Sequence, residues 1–520
     1  MIDLEAIQCL SDIPAAQAKV RGDETALLFE GQTITFAALE AQTAAVARAL
    51  TADGAKPGQR IAVLTKNHPR WFPLFFGAGR ARACPMPVNW RLSVPEIAFI
   101  LSDGAPTHLF VGEDFFDGAL EAVAGMERRP HLIALYGEHP GFVPFEAWLA
   151  RGEGHEPAGR PELDDDVLQL YTSGTTGRPK GVVLTNRNYR RFMEMAEQVD
   201  GFAYEAGRTM MIVMPLFHVA GTNLGFSGLA QGCRTVLVKD FVPADAIATM
   251  VEEKVSYAFL APAIIQMLLQ SPRIAGVSFP ELRNISYGAS PISEDTLAKA
   301  QAVFGCDFIQ FYGMTESAGS GSYLSPEAHR AGGLLKSCGK PWPGVEMAII
   351  GADGEPLPSG GIGEIVIRGD IVMKGYWNRD EATAETLAGG WLHTGDAGYM
   401  DADGYFFVHD RIKDMIVSGG ENVYPAEVEN AIAGCPGVAD VAVIGVPDDK
   451  WGEAVKALIV PEGEGATAEA VIAWARSRIA AYKAPKSVDF VEALPRNPSG
   501  KVLRRELRAH YWAGRDRAVG

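Results

Sequence analysis

Cysteine is sparse in this chain and never paired. The six residues, Cys9, Cys84, Cys233, Cys306, Cys338 and Cys435, are scattered through 520 positions without a CxxC among them. Neither a disulfide framework nor a zinc site is indicated, and a reducing cytoplasm fits. No apolar run reaches the roughly 18 residues of a membrane-spanning helix. The start, Met1-Ile2-Asp3-Leu4-Glu5, is acidic where a signal peptide would be basic, so neither a span nor a leader is expected. Positive charge is also in deficit, with 47 Lys+Arg against 64 Asp+Glu and a net charge of -17. A general nucleic-acid binder needs a basic face, so that class is disfavoured. The deficit is uneven: residues 412–520 hold 14 Lys+Arg against 15 Asp+Glu, which leaves nearly all of the acidity in the larger N-terminal part. Local basic residues must gather any anionic substrate. No short internal repeat is visible.

What the chain does have is an ordinary globular composition, 47% hydrophobic and 21% charged, at a length that exceeds one core and predicts two to four domains or subdomains. Residues 60 to 111 alternate strand and helix: Arg60–Leu64, Pro69–Gly79, Cys84–Pro87, Val94–Leu101 and His108–Val111. The alternation returns at Thr235–Val238, Pro243–Glu253, Tyr257–Leu260, Ala263–Leu269 and Asn284–Tyr287. This predicts two similar α/β halves with mostly parallel sheets, whose ligands bind beyond the carboxyl ends of strands. The alternation Gly361–Arg368 marks a smaller β-rich region ending at Trp391-Leu-His-Thr-Gly-Asp396. After the charged Asp410-Arg411-Ile-Lys413-Asp414, an α+β domain of about a hundred residues is expected, with helices at Ala426–Ala433 and Ala468–Ala481 and strands at Val438–Val446, Val455–Val460 and Val488–Val491.

The densest chemical signal is Tyr171-Thr172-Ser173-Gly174-Thr175-Thr176-Gly177-Arg178-Pro179-Lys180-Gly181, set between two strand-like segments. Its glycines free the backbone to approach an anion, its hydroxyls add donors, and Lys180 adds a charge. A Gly/Thr-rich turn taken alone is more often just a flexible surface loop. It is not a Walker A loop, because Gly181 follows Lys180 where that motif has Ser or Thr.

Further motifs follow predicted strands. Gly288-Ala289-Ser290-Pro291 could be a plain strand-to-helix turn with Ser293 as N-cap. Tyr312-Gly313-Met314-Thr315-Glu316 offers an aromatic face, a bare glycine, a hydroxyl and a carboxylate. His218, in Met214-Pro-Leu-Phe-His-Val-Ala-Gly221, lies in apolar surroundings where a histidine is ordinarily a satisfied core residue. Asp396 could cap a turn or accept both hydroxyls of a ribose. Arg411 and Lys413 read as a solvated turn or a hinge. Ser418-Gly419-Gly420-Glu421-Asn422 opens the last domain, and Leu494-Pro-Arg-Asn-Pro-Ser-Gly500-Lys501 presents one lysine on a Pro/Gly turn near its end.

Together these motifs, in this order, resemble the adenylate-forming superfamily, and within it the AMP-forming acyl-CoA synthetases, from about residue 25 to 508. The resemblance implies a large N-terminal adenylation domain (residues 1–411) and a mobile C-terminal lid (residues 412–520) hinged at Lys413. It implies ATP, Mg²⁺ and coenzyme A. The loop Thr172–Gly177 with Lys180 would hold the pyrophosphate, and Gly288–Ser290 with Tyr312, Gly313 and Met314 the nucleotide and acyl group. Asp396 and Arg411 would hold the ribose, Thr315 the α-phosphate, and Glu316 with Thr172 the Mg²⁺. His218 would lie beside the carboxylate, and Gly419, Gly420 and Glu421 would face the pantetheine arm after the lid swings. Attack of a carboxylate on an α-phosphate brings two anions together, so preorganised positive charge matters most. The resemblance gives that task to Lys501. One departure is Asn186, where many relatives carry histidine.

No acidic residue occurs from Arg208 to Lys239 to hold an α-ammonium group, which opposes amino-acid activation. Acetate-type relatives carry tryptophan at the place of Gly313; glycine would leave the pocket open. Small residues at Ala220, Gly221, Gly225 and Gly288 agree with a deep apolar cavity, and equally with close helix packing. The expected substrate is a medium- or long-chain fatty acid or a bulky aryl or alicyclic acid. Alternatives are a loader that passes acyl groups to a carrier protein, a luciferase-like oxidative activity, and a non-catalytic nucleotide-binding protein of the same fold. A homodimer is compatible with the sequence.

Overall fold

Two runs of strand-helix alternation each close into a sheet in the computed structural model. It describes residues 2–513 except 158, 173–178, 291, 412–413, 419–420, 449–450, 464 and 497–501, and gives the backbone alone for 410, 411, 421 and 422. The first run forms a five-stranded, wholly parallel sheet in the order Cys84–Pro87, Arg60–Leu64, His108–Val111, His131–Ala134, Val143–Pro144. Every residue of Arg60–Leu64 is buried, as expected of a strand covered on both faces. The second run forms a nine-stranded sheet. Its parallel centre runs Asp307–Tyr312, Asn284–Gly288, Val255–Phe259, Thr209–Ile212, Arg234–Leu237, Thr25–Phe29. Antiparallel strands Ser322–Leu324, Lys340–Pro341 and Gln32–Thr35 close its edges. The two expected halves are therefore present, the second enlarged by strands that the alternation did not reveal.

Aromatic packing joins the halves. The helix Trp71–Arg80 of the first half lays Trp71, Phe72, Phe75 and Phe76 against Phe226 of the helix Val219–Ala230, with the Phe75 and Phe226 rings 4.4 Å apart. Fully burying such a side chain is worth about 1.5–3 kcal/mol. Gly225 makes the approach close enough, since a Cβ there would lie 2.6 Å from the Phe72 ring. The N-terminus of the second helix, and with it His218, is thereby fixed relative to both sheets.

Two small sheets complete the larger part. Asp166–Thr172 and Lys180–Thr185 form an antiparallel hairpin, with Thr172 opposite Lys180, and Gly375–Tyr376 adds a third strand beside the second. The strands Glu346–Ile350, Gly363–Arg368, Leu392–Met400 and Phe406–Arg411 form an antiparallel sheet. The β-rich region thus runs past Asp396, which sits inside its third strand. The smaller C-terminal part has its own core of Ile416, Val428, Ile432, Val443, Val455, Ile459 and Val471. Its sheet pairs Gly452–Pro461 with Val438–Asp448, Ile416–Ser418 and Ser487–Phe490. The helix expected to reach Ala481 ends at Arg476. There the Ser477 hydroxyl donates to the Trp474 carbonyl and Arg478 folds over the Trp474 ring at 3.4 Å. These local contacts compete with the next helical turn.

Candidate active site

Of the sequence-predicted residues, Thr172, Gly288 and Tyr312 end strands, Lys180 begins one and Asp396 lies within one, and Tyr312 touches Asp396. The hairpin sets Thr172 and Lys180 directly opposite one another at its open end. Ser173, Gly174, Thr175, Thr176 and Gly177 lie outside the described residues, as do Lys413, Gly419, Gly420 and Lys501. The Lys180 ammonium lies over the ring of Tyr376, 4.8 Å from its centre, and the Tyr376 hydroxyl donates to Glu316 Oε1 at 2.8 Å. Glu316 is 5% exposed and sits in the short 3₁₀ turn Thr315–Ser317, whose first turn is held by its own backbone and by Ser317 Oγ. Its carbonyl accepts from the Met373 amide.

The strand Asp307–Tyr312 delivers Tyr312 to the same turn. Its hydroxyl donates to Asp396 Oδ2 at 2.7 Å. Burial first, and the neighbouring Asp396 carboxylate second, push the Tyr312 phenol well above its ordinary range. It therefore stays a neutral donor. Asp396 is 7% exposed, its amide bonded to the Thr394 hydroxyl, which in turn donates to the Ile365 carbonyl. On the neighbouring strand Gly288 ends Asn284–Gly288, and Ala289 follows with φ of +67°, turning the chain toward the helix Glu294–Phe304. Ser293 caps that helix by accepting from the Thr296 amide, as the sequence led us to expect.

His218 precedes the helix Val219–Ala230. Its Nε2 is buried and has no hydrogen-bond partner among the described residues. Burial, and then the charge of Arg91, lower its pKa to about 4, so the imidazole is neutral near pH 7. It is not a satisfied core histidine: a buried ring nitrogen without a partner is costly unless a ligand supplies one. One and a half turns along the same helix, Asn223 donates to the Ala318 carbonyl at 2.8 Å, tying the His218 helix to the Thr315–Ser317 turn.

The small residues answer to packing. A Cβ on Gly313 would lie 2.6 Å from Gly319 backbone atoms and 2.7 Å from the Ser320 nitrogen; one on Gly221 would meet the Pro215 carbonyl, and one on Gly288 the Phe311 carbonyl. Backbone already fills the space that the reading of Gly313 took as open pocket. Asn186 is likewise structural: it accepts from the Leu10 amide and donates to the Glu162 carbonyl, away from the residues above.

Two contributors escaped the sequence reading. Tyr376 lies in Lys374-Gly-Tyr-Trp-Asn-Arg379, a segment that is strapped across the hairpin. Lys374 N donates to the Val183 carbonyl, Trp377 N donates to the Gly181 carbonyl, and the Trp377 ring stacks under the Arg60 guanidinium at 3.6 Å. Asp103 anchors the strap, accepting from the Tyr171 hydroxyl at 2.8 Å and from Arg379, while its carbonyl accepts from Trp377 Nε1. The local sequence offers only a glycine followed by two aromatics between basic residues, and the pairing that makes Gly375–Tyr376 a strand comes from the distant hairpin.

Among the described residues no group of three or more His, Cys, Asp or Glu could enclose a metal ion. One buried carboxylate beside a hydroxyl-bearing hairpin suits a hard cation that brings most of its own oxygen ligands with it, as Mg²⁺ does on a polyphosphate. Also among the described residues, no helix is long and apolar enough to cross a membrane.

Residues 14–377 match the family described as AMP-binding enzyme, and residues 427–501 match the AMP-binding enzyme C-terminal domain. The chain is 38% identical to the fatty acid–[acyl-carrier-protein] ligase ScoC of Streptomyces coeruleorubidus, over 99% of this chain and 98% of that one. It is 39% identical to a feruloyl-CoA synthase of Amycolatopsis sp, over 97% and 99%. Its fold superposes with a TM-score of 0.82 on o-succinylbenzoate CoA synthetase (MenE) from Bacillus subtilis in complex with its acyl-adenylate intermediate, at 30% identity and covering 95% and 97% of the two chains. The chain therefore belongs to the AMP-binding enzyme family, the adenylate-forming superfamily in its acyl-CoA ligase branch.

Proposed function

We propose that this enzyme is an AMP-forming acyl-CoA synthetase for an apolar acid, either a medium- or long-chain fatty acid or a bulky aryl or alicyclic acid. The observation that carries the reading is the run of contacts from Lys180 through Tyr376 to Glu316, and from Tyr312, at the end of the strand that leads into the Glu316 turn, to Asp396. It sets a cation, a carboxylate, an aromatic face and a second carboxylate in the sequence that a nucleoside triphosphate needs along its length.

On this reading the carboxylate oxygen of the acid attacks the α-phosphorus, and the bond to pyrophosphate breaks. Thr172, the loop Ser173–Gly177 and Lys180 receive the pyrophosphate, and Thr315 donates to the α-phosphate. Gly288, Ala289 and Ser290, with Tyr312, Gly313 and Met314, frame the adenine and the acyl group, and Asp396 with Arg411 holds the ribose. Neutral His218 turns its unpartnered nitrogen to the acid, and Lys501 shields the two anions from one another. Glu316 and Thr172 would hold Mg²⁺, which neutralises phosphate charge when bound with ATP. The thiol of coenzyme A then attacks the acyl carbonyl, AMP leaves with the electron pair, and the thiol proton is lost to solvent. A lysine filling the site would block that second attack, so the C-terminal domain, residues 412–520, swings about Lys413 to withdraw Lys501 and present Gly419, Gly420 and Glu421.

The absence of acidic residues from Arg208 to Lys239 and the aromatic rings of Phe217 and Phe259 beside the site support an apolar acid. So do a fatty acid ligase and a feruloyl-CoA synthase among the relatives. The test is pyrophosphate release across acetate, octanoate, palmitate, benzoate and ferulate. Release above acetate is expected for at least one of the larger acids, and silence on all five would overturn the reading.

A second reading shares the first half-reaction and hands the acyl group to a carrier protein. The 38% identity with ScoC along nearly the whole chain favours it. With a competent acid, coenzyme A-dependent AMP release supports the first reading, and release only with an acyl-carrier protein supports the second.

A further inference from the structure

The strap residue Tyr376 holds both charged ends of the phosphate region at once. Its backbone is fixed by pairing with Val182 and by a hydrogen bond that its amide donates to the Thr383 hydroxyl at 2.9 Å. Its hydroxyl reaches Glu316 Oε1 at 2.8 Å, and its ring lies under the Lys180 ammonium at 4.8 Å. A phenol is suited to both tasks. The hydroxyl donates to Glu316 Oε1 and so fixes the direction of the carboxylate, while the ring face attracts a cation without neutralising it. A carboxylate in the same place would quench Lys180, and an aliphatic side chain would leave Glu316 without this donor.

We propose that Tyr376 is a positioning residue, which orients Glu316 toward a polyphosphate-bound divalent cation and seats Lys180 toward the phosphates. The proposal rests on the nucleotide reading of the site given above. The hydroxyl and the ring are separable by substitution. Tyr376→Phe keeps the seat for Lys180 and loses the hold on Glu316, whereas Tyr376→Leu loses both.

The experiment uses the full chain and Mn²⁺ as the probe, titrated by electron paramagnetic resonance in the presence of α,β-methylene-ATP. Tyr376→Phe is expected to weaken Mn²⁺ binding about tenfold, the size typical of a lost outer hydrogen bond to a metal ligand. Its affinity for the nucleotide without divalent cation should stay within about twofold, because the ring remains. Tyr376→Leu should weaken that metal-free affinity by about three- to tenfold as well. Adding Tyr376→Phe to Glu316→Gln should cost no further Mn²⁺ affinity, since the hydroxyl acts through Glu316. Thermal melting of the Phe variant within a degree or two of the parent would exclude a fold defect as the cause. Mn²⁺ binding by the Phe variant equal to the parent's, or additive losses in the double variant, would overturn the proposal while leaving the enzyme's activity in place. A parent chain that neither binds Mn²⁺ with the nucleotide nor releases pyrophosphate would overturn the proposed function and this inference together.

Discussion

The Tyr312 hydroxyl donates to the Asp396 carboxylate at 2.7 Å, bridging the nine-stranded sheet and the four-stranded antiparallel sheet. Tyr312→Phe removes one donor from a buried carboxylate, a change worth about 1–3 kcal/mol. The expected outcome is an ATP KM raised about tenfold with the KM for the acid unchanged. Asp396→Ala should in addition abolish discrimination between ATP and 2′-deoxy-ATP, measured by pyrophosphate release. Retained preference for the ribonucleotide would show that Asp396 does not read the sugar.

Lys501→Ala should lower adenylation by roughly 10²-fold or more, the scale of a lost transition-state charge partner. Thioester formation from supplied acyl-AMP should be spared. Equal loss of both half-reactions would refute the assignment of Lys501 to the first.

Acid should destabilise the fold in part through His218. Its folded-state pKa of about 4 lies below the ordinary 6.5, so the unfolded chain binds that proton more tightly. Stability from this group is intact above pH 6.5 and falls as pH drops from there toward 4. Between pH 7 and pH 5 the parent should lose about 2 kcal/mol more than His218→Asn, by the usual conversion of a pKa difference. His68, also held down by burial, to about 3, remains in both proteins and cancels from the comparison. Urea midpoints at the two pH values supply the check, and parallel losses would assign the proton to another group.

Gly313→Ala separates packing from pocket depth. If the glycine only left a pocket open, the methyl group would spare short acids and penalise long ones. Because the methyl would press on the Gly319 and Ser320 backbone, activity should instead fall for acetate, octanoate and ferulate alike. The unfolding free energy should drop by about 1–3 kcal/mol, as for other overpacked sites.

Much of the scaffold was legible because its signals are local. The alternation of Arg60–Leu64 with its neighbouring helices and strands is a pattern within each segment, and so is the cap at Ser293. The strands Thr25–Phe29 and Gly375–Tyr376 were not read, because a partner some two hundred residues away holds each in its sheet. The site followed the same division. Tyr312, Glu316 and Asp396 stand in compact motifs at strand ends or within a strand, whereas Tyr376 and Asp103 matter through the residues that fold against them. The glycines misled for a related reason. A missing side chain looks the same in sequence whether a substrate or the chain's own backbone fills the space.

The hairpin formed by Asp166–Thr172 and Lys180–Thr185 is backed by a strand that follows it by about 190 residues. During synthesis Lys180 therefore emerges from the ribosome long before Tyr376 exists to receive it. A nascent chain stalled ahead of Gly375 would carry this hairpin without its third strand, so the contact between Lys180 and Tyr376 forms only late in translation.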